Sequence, residues 1–330
     1  MKLAIVKLSA LGDIVHAMAA LQFIKAALPN LQIDWVVEAG FAEVLRHNPD
    51  INDILTVNLK SLKTHKAGIF QEIRKVRGYA KAHYDVVIDA QGLIKSALTA
   101  KLLGSRIAGF DADSIRESAA SWCYDDKVAC AYDTNAIIRN TVVLSQPLGI
   151  HISPTQLDNK QAYLYFKDED PVIYDYLQST RKNIVLVIGS SWDSKNYPPE
   201  KFVAVAEALQ QNCLVVWGNA AEQAKAEWMA SQSTALTVMP KLDLNSLKAL
   251  IAHADLLIGN DTGPSHFAWA LNKPSITLFG PTPIRMAYQT DINHVLKSPS
   301  VVNSYKLNRQ DFSIKDIAVA DIIALAQQLL

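Results

Sequence analysis

A chain of 330 residues, half of them apolar and 19% charged, is too long for one ordinary core and points to roughly two domains of about 150 residues each. Lys plus Arg and Asp plus Glu balance at 32 each, so no overall field draws the protein to nucleic acid, and a polyanionic partner would need a local basic patch. No apolar run approaches the ~18 residues of a membrane span, and the short apolar core of Met1–Lys7 is too brief for a signal peptide, so a cytoplasmic protein is expected.

Lys2–Leu8 reads as a buried strand, broken by Ser9-Ala10-Leu11-Gly12-Asp13 before a helical pattern of Ile14, Ala17, Met18, Leu21 and Ile24 that runs to about Pro29. Only Gly12 is present, so this is neither a dinucleotide G-x-G-x-x-G nor a P-loop. Asp13 sits where it either caps the helix or offers a carboxylate at the carboxyl end of the first strand, where open α/β sheets bind ligands. Further strands are expected at Ile33–Val37, Ile54–Val57 and Asp85–Asp89, with helices near 41–47, 67–82 and 93–103, which spells a parallel, doubly wound sheet. Lys60, Lys63 and Lys66 fall in one segment and, with Arg116, could meet an acidic substrate or simply be solvated. Cys123, Cys130 and Cys213 form neither a paired framework nor a C-x-x-C site, as expected of thiols in a reducing compartment.

The pattern weakens between about 148 and 182, where a linker is expected. It restarts with strands at Ile184–Ile188, Leu214–Trp217, Leu236–Met239, Leu256–Ile258 and Ile276–Phe279, a second doubly wound unit. Two such units are expected to face each other across a cleft, a usual ligand site. Ser313–Asp316 reads as a capping box opening a helix through Leu330.

The most informative stretch is Leu256–Ala268. Its apolar run stops at Gly259-Asn260-Asp261-Thr262-Gly263 and resumes with helical spacing after Pro264, giving strand, tight turn and helix. Asp261 or Thr262 is expected to cap that helix, whose N–H groups suit an anion, and His266 lies within reach of a bound phosphate. A capped structural helix is the plainer alternative. The other strands of this half also end in polar groups: Ser190-Ser191-Trp192-Asp193-Ser194-Lys195, then Gly218 to Glu222, then Pro240-Lys241-Leu242. A lysine, hydroxyls and a helix start suit a diphosphate, and a carboxylate suits a ribose diol, so four such ends in register favour a nucleoside diphosphate ligand.

On these residues a family resemblance appears. Lys7-x5-Asp13-Ile-Val-His16, Asp34-Trp-Val-Val-Glu-x-Gly-Phe41, Ile88-Asp-Ala-Gln-Gly-Leu93 with Lys95-Ser96, the Lys195 loop with Pro198, Trp217-Gly218-x3-Glu222 and Asp261-Thr-Gly-x-Ser-His266 resemble the bacterial lipopolysaccharide heptosyltransferases, nearest the heptosyltransferase I branch. The likeness runs from residue 1 to about 285. It implies a GT-B fold of two Rossmann-like domains, divided here as 1–160 and 161–312, with the C-terminal helix of 313–330 packing back on the first. It also implies inverting, metal-independent transfer of L-glycero-D-manno-heptose from ADP-heptose to the inner octulosonic acid (Kdo) of Kdo-lipid A. No cofactor is implied, and the enzyme is expected to be a monomer, peripheral on the inner face of the inner membrane.

Position by position, the resemblance makes Asp13 the general base and Lys195 the neutraliser of the leaving diphosphate. Ser190, Ser191, Asp261, Thr262, Gly263 and His266 would hold the phosphates, Glu222 the ribose, and Pro240, Lys241 and Leu242 the adenine. Gly12, Lys60, Lys63, Gln91 and Arg116 are the candidates for acceptor contact. The chain departs from the family pattern at Trp192-Asp193-Ser194 and at Tyr197, which bears on donor contacts. A metal-dependent transferase would use Asp-x-Asp, and both Asp111-Ala112-Asp113 and Asp168-Glu169-Asp170 have that spacing, though neither stands at a predicted strand end. A nucleotide-sugar epimerase and a non-catalytic binder are the other readings.

Overall fold

Continuous apolar runs such as Leu3-Ala4-Ile5-Val6 and Ile184-Val185-Leu186-Val187 suit strands covered on both faces, and in the computed structural model each becomes a fully buried parallel strand. The structure describes residues 1–59, 68–104 and 106–330, and the chain divides into two units, Met1–Tyr165 and Phe166–Leu330.

The first unit runs β1 (Lys2–Val6), α1 (Leu11–Met18), α2 (Leu21–Ala27), β2 (Gln32–Glu38), β3 (Asp53–Val57), α3 (Ile69–Tyr79), β4 (Val86–Asp89), α4 (Ile94–Leu103), β5 (Arg106–Phe110), β6 (Asp126–Val128), α5 (Ala136–Ser145) and α6 (Pro154–Asp158). Its parallel sheet has the order β3-β2-β1-β4-β5-β6. Ala4, Val6, Val36, Val87 and Ile107 from the sheet pack with Val76 of α3, with Ala97, Ala100 and Leu103 of α4, and with Ala120 and Tyr124.

The second unit runs α7 (Val172–Tyr176), β7 (Asn183–Val187), α8 (Pro199–Leu209), β8 (Asn212–Val216), α9 (Ala220–Gln232), β9 (Leu236–Val238), α10 (Leu244–His253), β10 (Leu256–Asn260), α11 (His266–Ala270), β11 (Ser275–Phe279), β12 (Asn293–Lys297) and α12 (Val319–Leu329). Its order, β12-β11-β10-β7-β8-β9, repeats that of the first sheet, and every pairing is parallel. In each sheet the strand order reverses between its first and fourth strands, and open α/β sheets take their ligands in the crevice there.

Several local expectations are corrected. The first helix is two, because the chain turns at Ala19-Ala20, and residues 39–45 form a 3-10 turn. Ser313–Asp316 is a 3-10 turn rather than a capping box: the Ser313 hydroxyl lies 2.8 Å from that of Ser298, and the helix starts at Val319. The resemblance has that helix returning to the first unit. Within the second unit it packs on α8 and β11 and buries Ile322 and Ala326 in that unit's core, while the Tyr197 hydroxyl donates to Ile317 O (2.9 Å). No helix among the described residues is long and apolar enough to cross a membrane.

Candidate active site

At the switch point of the first sheet, Val6 of β1 pairs with Asp89 of β4, so the loops that follow the two strands leave side by side. They are tied together. Leu8 N–H and Ser9 N–H both donate to Gln91 Oε1 (3.0 and 3.1 Å), and the Lys7 ammonium donates to Ala90 O (2.7 Å). Gln91, expected on the acceptor, thus turns its amide oxygen to the backbone of the β1–α1 loop.

That loop leads into α1, where Gly12 is buried and Asp13 is half-buried, its Oδ2 accepting Ala10 N–H (3.2 Å). The carboxylate therefore does bond the start of its own helix, and the same bond fixes it at the strand end. Beneath it lies Lys7, quoted in the family pattern but given no role from sequence, with only 6% of its surface exposed. Burial pushes its pKa down, a push that Asp13 and Asp89 oppose and Arg139 adds to. Asp89 is fully buried and accepts the Tyr124 hydroxyl (2.7 Å), the Ser96 hydroxyl (2.8 Å) and the N–H groups of Gln91 and Gly92 (2.9 and 3.3 Å). Burial raises its pKa more than those donors lower it. Arg116 is exposed in the segment after β5, and Lys60 and Lys63 lie outside the described residues.

At the second switch point, Val187 of β7 pairs with Gly259 of β10, which sets the Ser190–Lys195 loop beside Asp261. A side chain at 259 would collide with Val187 Cβ at 2.6 Å, so glycine permits that pairing. Lys195 Nζ meets Asp261 Oδ2 at 2.8 Å, with 13% and 6% of the two side chains exposed, and His266 Nε2 lies 3.6 Å from Oδ1. Thr282 donates its hydroxyl to the same Oδ2 (2.7 Å), a partner with no sequence signal. Burial pushes the Asp261 carboxyl up, but Lys195 and His266 outweigh it and hold it well below the usual carboxylate range.

The expected cap is absent. Gly263–Ser265 forms a 3-10 turn with Pro264 in its first turn, α11 has only five residues, and no side chain of Thr262 or Ser265 caps either. Asp261 gains more from a cation and a hydroxyl than from backbone N–H groups. A carboxylate repels a phosphate, so the chemistry open to Asp261 is to hold Lys195 and His266 at the mouth of the turn.

The Ser190 hydroxyl lies 2.7 Å from both Trp192 O and Asn196 Oδ1, which folds the loop back on itself, while Ser191 is exposed. Asn260, also missed from sequence, braces that loop by accepting Tyr197 N–H (3.0 Å) and donating to Ile188 O (2.7 Å). Lys195 and the guanidinium of Arg309 lie over the Trp192 ring, at 5.8 and 4.5 Å. Arg309 carries no motif that would have singled it out.

Glu222 follows β8, its Oε2 accepting Gly218 N–H and its Oε1 the Asn219 amide, both at 2.7 Å. Its carboxyl occupies the space that a side chain at Gly189 would need. Past β9, Trp217 Nε1–H donates to Met239 O (2.8 Å), fixing the chain ahead of half-buried Pro240, exposed Lys241 and half-buried Leu242. All the donor-site residues named from sequence therefore stand at the carboxyl ends of β7, β8, β9 and β10.

The two Asp-x-Asp triplets differ from expectation in one respect: Asp111 directly follows β5, so it does stand at a strand end. Its Oδ1 accepts Ser114 N–H (3.0 Å), while Asp170 Oδ1 accepts Val172 N–H (3.0 Å), so both shape turns. Among the described residues no group of three or more His, Cys, Asp or Glu is placed to hold a metal ion.

The family model of glycosyltransferase family 9 (heptosyltransferase) matches residues 73–310. Lipopolysaccharide heptosyltransferase 1 of Campylobacter coli is 34% identical, over 100% of this chain and 99% of its own. The chain belongs to glycosyltransferase family 9, the heptosyltransferases. Lipopolysaccharide heptosyltransferase 1 of Escherichia coli is 30% identical over 86% of this heptosyltransferase and 88% of its own length. The solved structure of the Escherichia coli heptosyltransferase WaaC with ADP matches at a TM-score of 0.83 and 25% identity, over 100% of both chains. This heptosyltransferase accordingly has the GT-B fold, a Rossmann-like domain built on each of its two parallel sheets.

Proposed function

We propose that this heptosyltransferase moves L-glycero-D-manno-heptose from ADP-heptose to the inner Kdo of Kdo-lipid A, inverting the anomeric centre and using no metal ion. The observation that carries this reading is the buried Lys195–Asp261 pair at the second switch point. Departure of ADP concentrates negative charge on the β-phosphate, and a fixed ammonium stabilises that charge best when it is oriented before the reaction. Asp261, Thr282 and Trp192 do the orienting. Ser191, Thr262, Gly263 and His266 stand around the same opening for the phosphate oxygens, Glu222 takes the ribose hydroxyls, and Pro240, Lys241 and Leu242 flank the adenine. The relatives support the donor: WaaC was solved with ADP, and the two relatives above are named lipopolysaccharide heptosyltransferase 1.

Asp13 is the general base in this reading. An aspartate is a weak base toward an alcohol, yet it suffices when the proton leaves late, after carbon–oxygen bonding has acidified the hydroxyl. The carboxylate attacks no carbon, so one displacement occurs and the anomeric configuration inverts. Gly12, Arg116, Lys60 and Lys63 serve the anionic acceptor, and Gln91 serves it by shaping the Asp13 loop. The enzyme works as a monomer on the cytoplasmic face of the inner membrane, where its lipid-linked acceptor lies.

The test is to incubate purified protein with ADP-heptose and de-acylated Kdo-lipid A, with and without EDTA, reading product by mass spectrometry and its anomeric configuration by NMR. Heptosylation that survives EDTA with inverted configuration is expected. Transfer only to an acceptor that already carries heptose would replace the acceptor assignment with a heptosyltransferase II-type one, and loss of activity in EDTA would overturn the metal-free mechanism.

A further inference from the structure

Helices α3 and α4 and the 3-10 turn Ser118–Cys123 cover one face of the first sheet, burying Val76, Ala97, Ala100, Leu103 and Ala120 in a shared core. Their opposite sides point away from the protein. There Trp122 is 83% exposed, Phe70 81%, Leu98 55% and Ile94 46%. Ile94, Leu98 and Lys101 follow one another at helical spacing along α4, and Phe70, Arg74 and Arg77 do so along α3, all exposed. The two helices carry five cations, Arg74, Lys75, Arg77, Lys95 and Lys101, against one acid, Glu72, whose carboxylate accepts Asn58 N–H (3.0 Å). The acids at the margin are Asp111, Asp113 and Asp125, with Glu117, whose carboxylate takes Ile94 N–H (2.7 Å). In a chain with no net charge, this is a local positive excess around exposed apolar side chains.

Direction adds to the pattern. Helices between parallel strands run against them, so the first turns of α3 and α4, which hold Phe70 and Ile94, lie toward the carboxyl edge of the sheet, the edge that carries Asp13. Arg77 and Lys101 lie toward the other ends of the same helices. Apolar tips that can enter an interface, backed by cations that can pair with lipid phosphates, fit an anionic bilayer surface rather than a protein partner of defined shape.

We propose that this face, Phe70, Ile94, Leu98 and Trp122 with Arg74, Arg77, Lys95 and Lys101, docks the enzyme on an anionic lipid surface. It rests on the lipid-linked acceptor proposed above, and it presents the Asp13 edge to the membrane that holds that acceptor. The test is flotation of the full chain with vesicles of phosphatidylethanolamine and phosphatidylglycerol, free of acceptor, against vesicles of phosphatidylcholine. Binding to the anionic vesicles is expected to be at least tenfold stronger and to weaken as salt rises. Leu98→Ser with Trp122→Ser is expected to lower it tenfold or more, and Arg74→Ser with Arg77→Ser to flatten the salt dependence. Turnover of the de-acylated, soluble acceptor should stay within twofold of wild type in both double variants, which shows them folded. Equal flotation with both vesicle types, or unchanged flotation of the Leu98/Trp122 variant, overturns the proposal, as does a dimer in sedimentation that this variant abolishes. Flotation without turnover of the soluble acceptor would instead sink the acceptor assignment and leave the docking face standing.

Discussion

The two switch points share a strand order but handle charge in opposite ways. In the second unit a lysine and an aspartate close on each other at 2.8 Å, with His266 and Thr282 on the same carboxylate. In the first unit the buried Lys7 is bonded to a backbone carbonyl, and Asp13 stands half-buried at the loop above it. One sheet end thus pairs its cation with a carboxylate, while the other leaves a half-buried carboxylate bonded only to a backbone N–H. The scaffold does not choose between these; the residues in two short loops do.

The sharpest way to break the contrast is Asp261→Asn, which leaves the Lys195 ammonium buried without its partner. A loss of about 3–5 kcal/mol in unfolding free energy at pH 7 is expected by denaturant titration. Because the folded carboxyl is held below its unfolded value, its contribution is full above the ordinary carboxylate pKa and is lost as pH falls below about 4. The gap between wild type and variant should therefore begin to narrow below about pH 4 and close only at pH values well below about 3, and a gap independent of pH would remove the ion pair from the account. Next comes Asp13→Asn, expected to cut turnover by a factor on the order of 10² while ADP affinity in calorimetry stays within about twofold. Near-normal turnover would leave Asp13 as a helix-start residue alone.

Smaller effects refine the comparison. Lys195→Ala should weaken ADP binding about tenfold and lower kcat as well, since one ammonium meets both resting and developing charge. Unchanged calorimetry and unchanged kcat together would place that lysine outside the donor site. Gln91→Ala removes the acceptor of two loop N–H groups and should cost about 1–2 kcal/mol in stability, with kcat reduced more than KM is raised. A variant as stable and fast as wild type would mean that the Asp13 loop needs no such tie.

The sequence made the central strands readable because they are covered on both faces and therefore apolar throughout. Edge strands β3 and β9 were readable too, but the inner β5, Arg-Ile-Ala-Gly-Phe, and the edge strands β6 and β12 were not. β6 is Asp-Lys-Val and β12 is Asn-His-Val-Leu-Lys, polar enough for the margin of a sheet and indistinguishable from loop. The break at Ala19-Ala20 was hidden because alanine carries helical spacing straight through it. At the site, strand-end position alone brought out Asp13, Lys195, Glu222 and Asp261. What the sequence withheld was pairing: nothing links Asp261 to Lys195 or Thr282, or Arg309 to Trp192, until the chain is folded. The expected cap by Asp261 failed for that reason, since a long-range cation takes its oxygen.

The slot at Gly189 bears on how this enzyme could change its diet of nucleotides. The Glu222 carboxyl fills the volume above Gly189, and its oxygens are held by Gly218 N–H and the Asn219 amide. The acid proposed for the ribose is seated in a space that exists only because position 189 has no side chain. A single added methyl group there would push the Glu222 carboxyl, the far end of a flexible side chain, out of that space, so Gly189→Ala would move the group proposed for the ribose without replacing it.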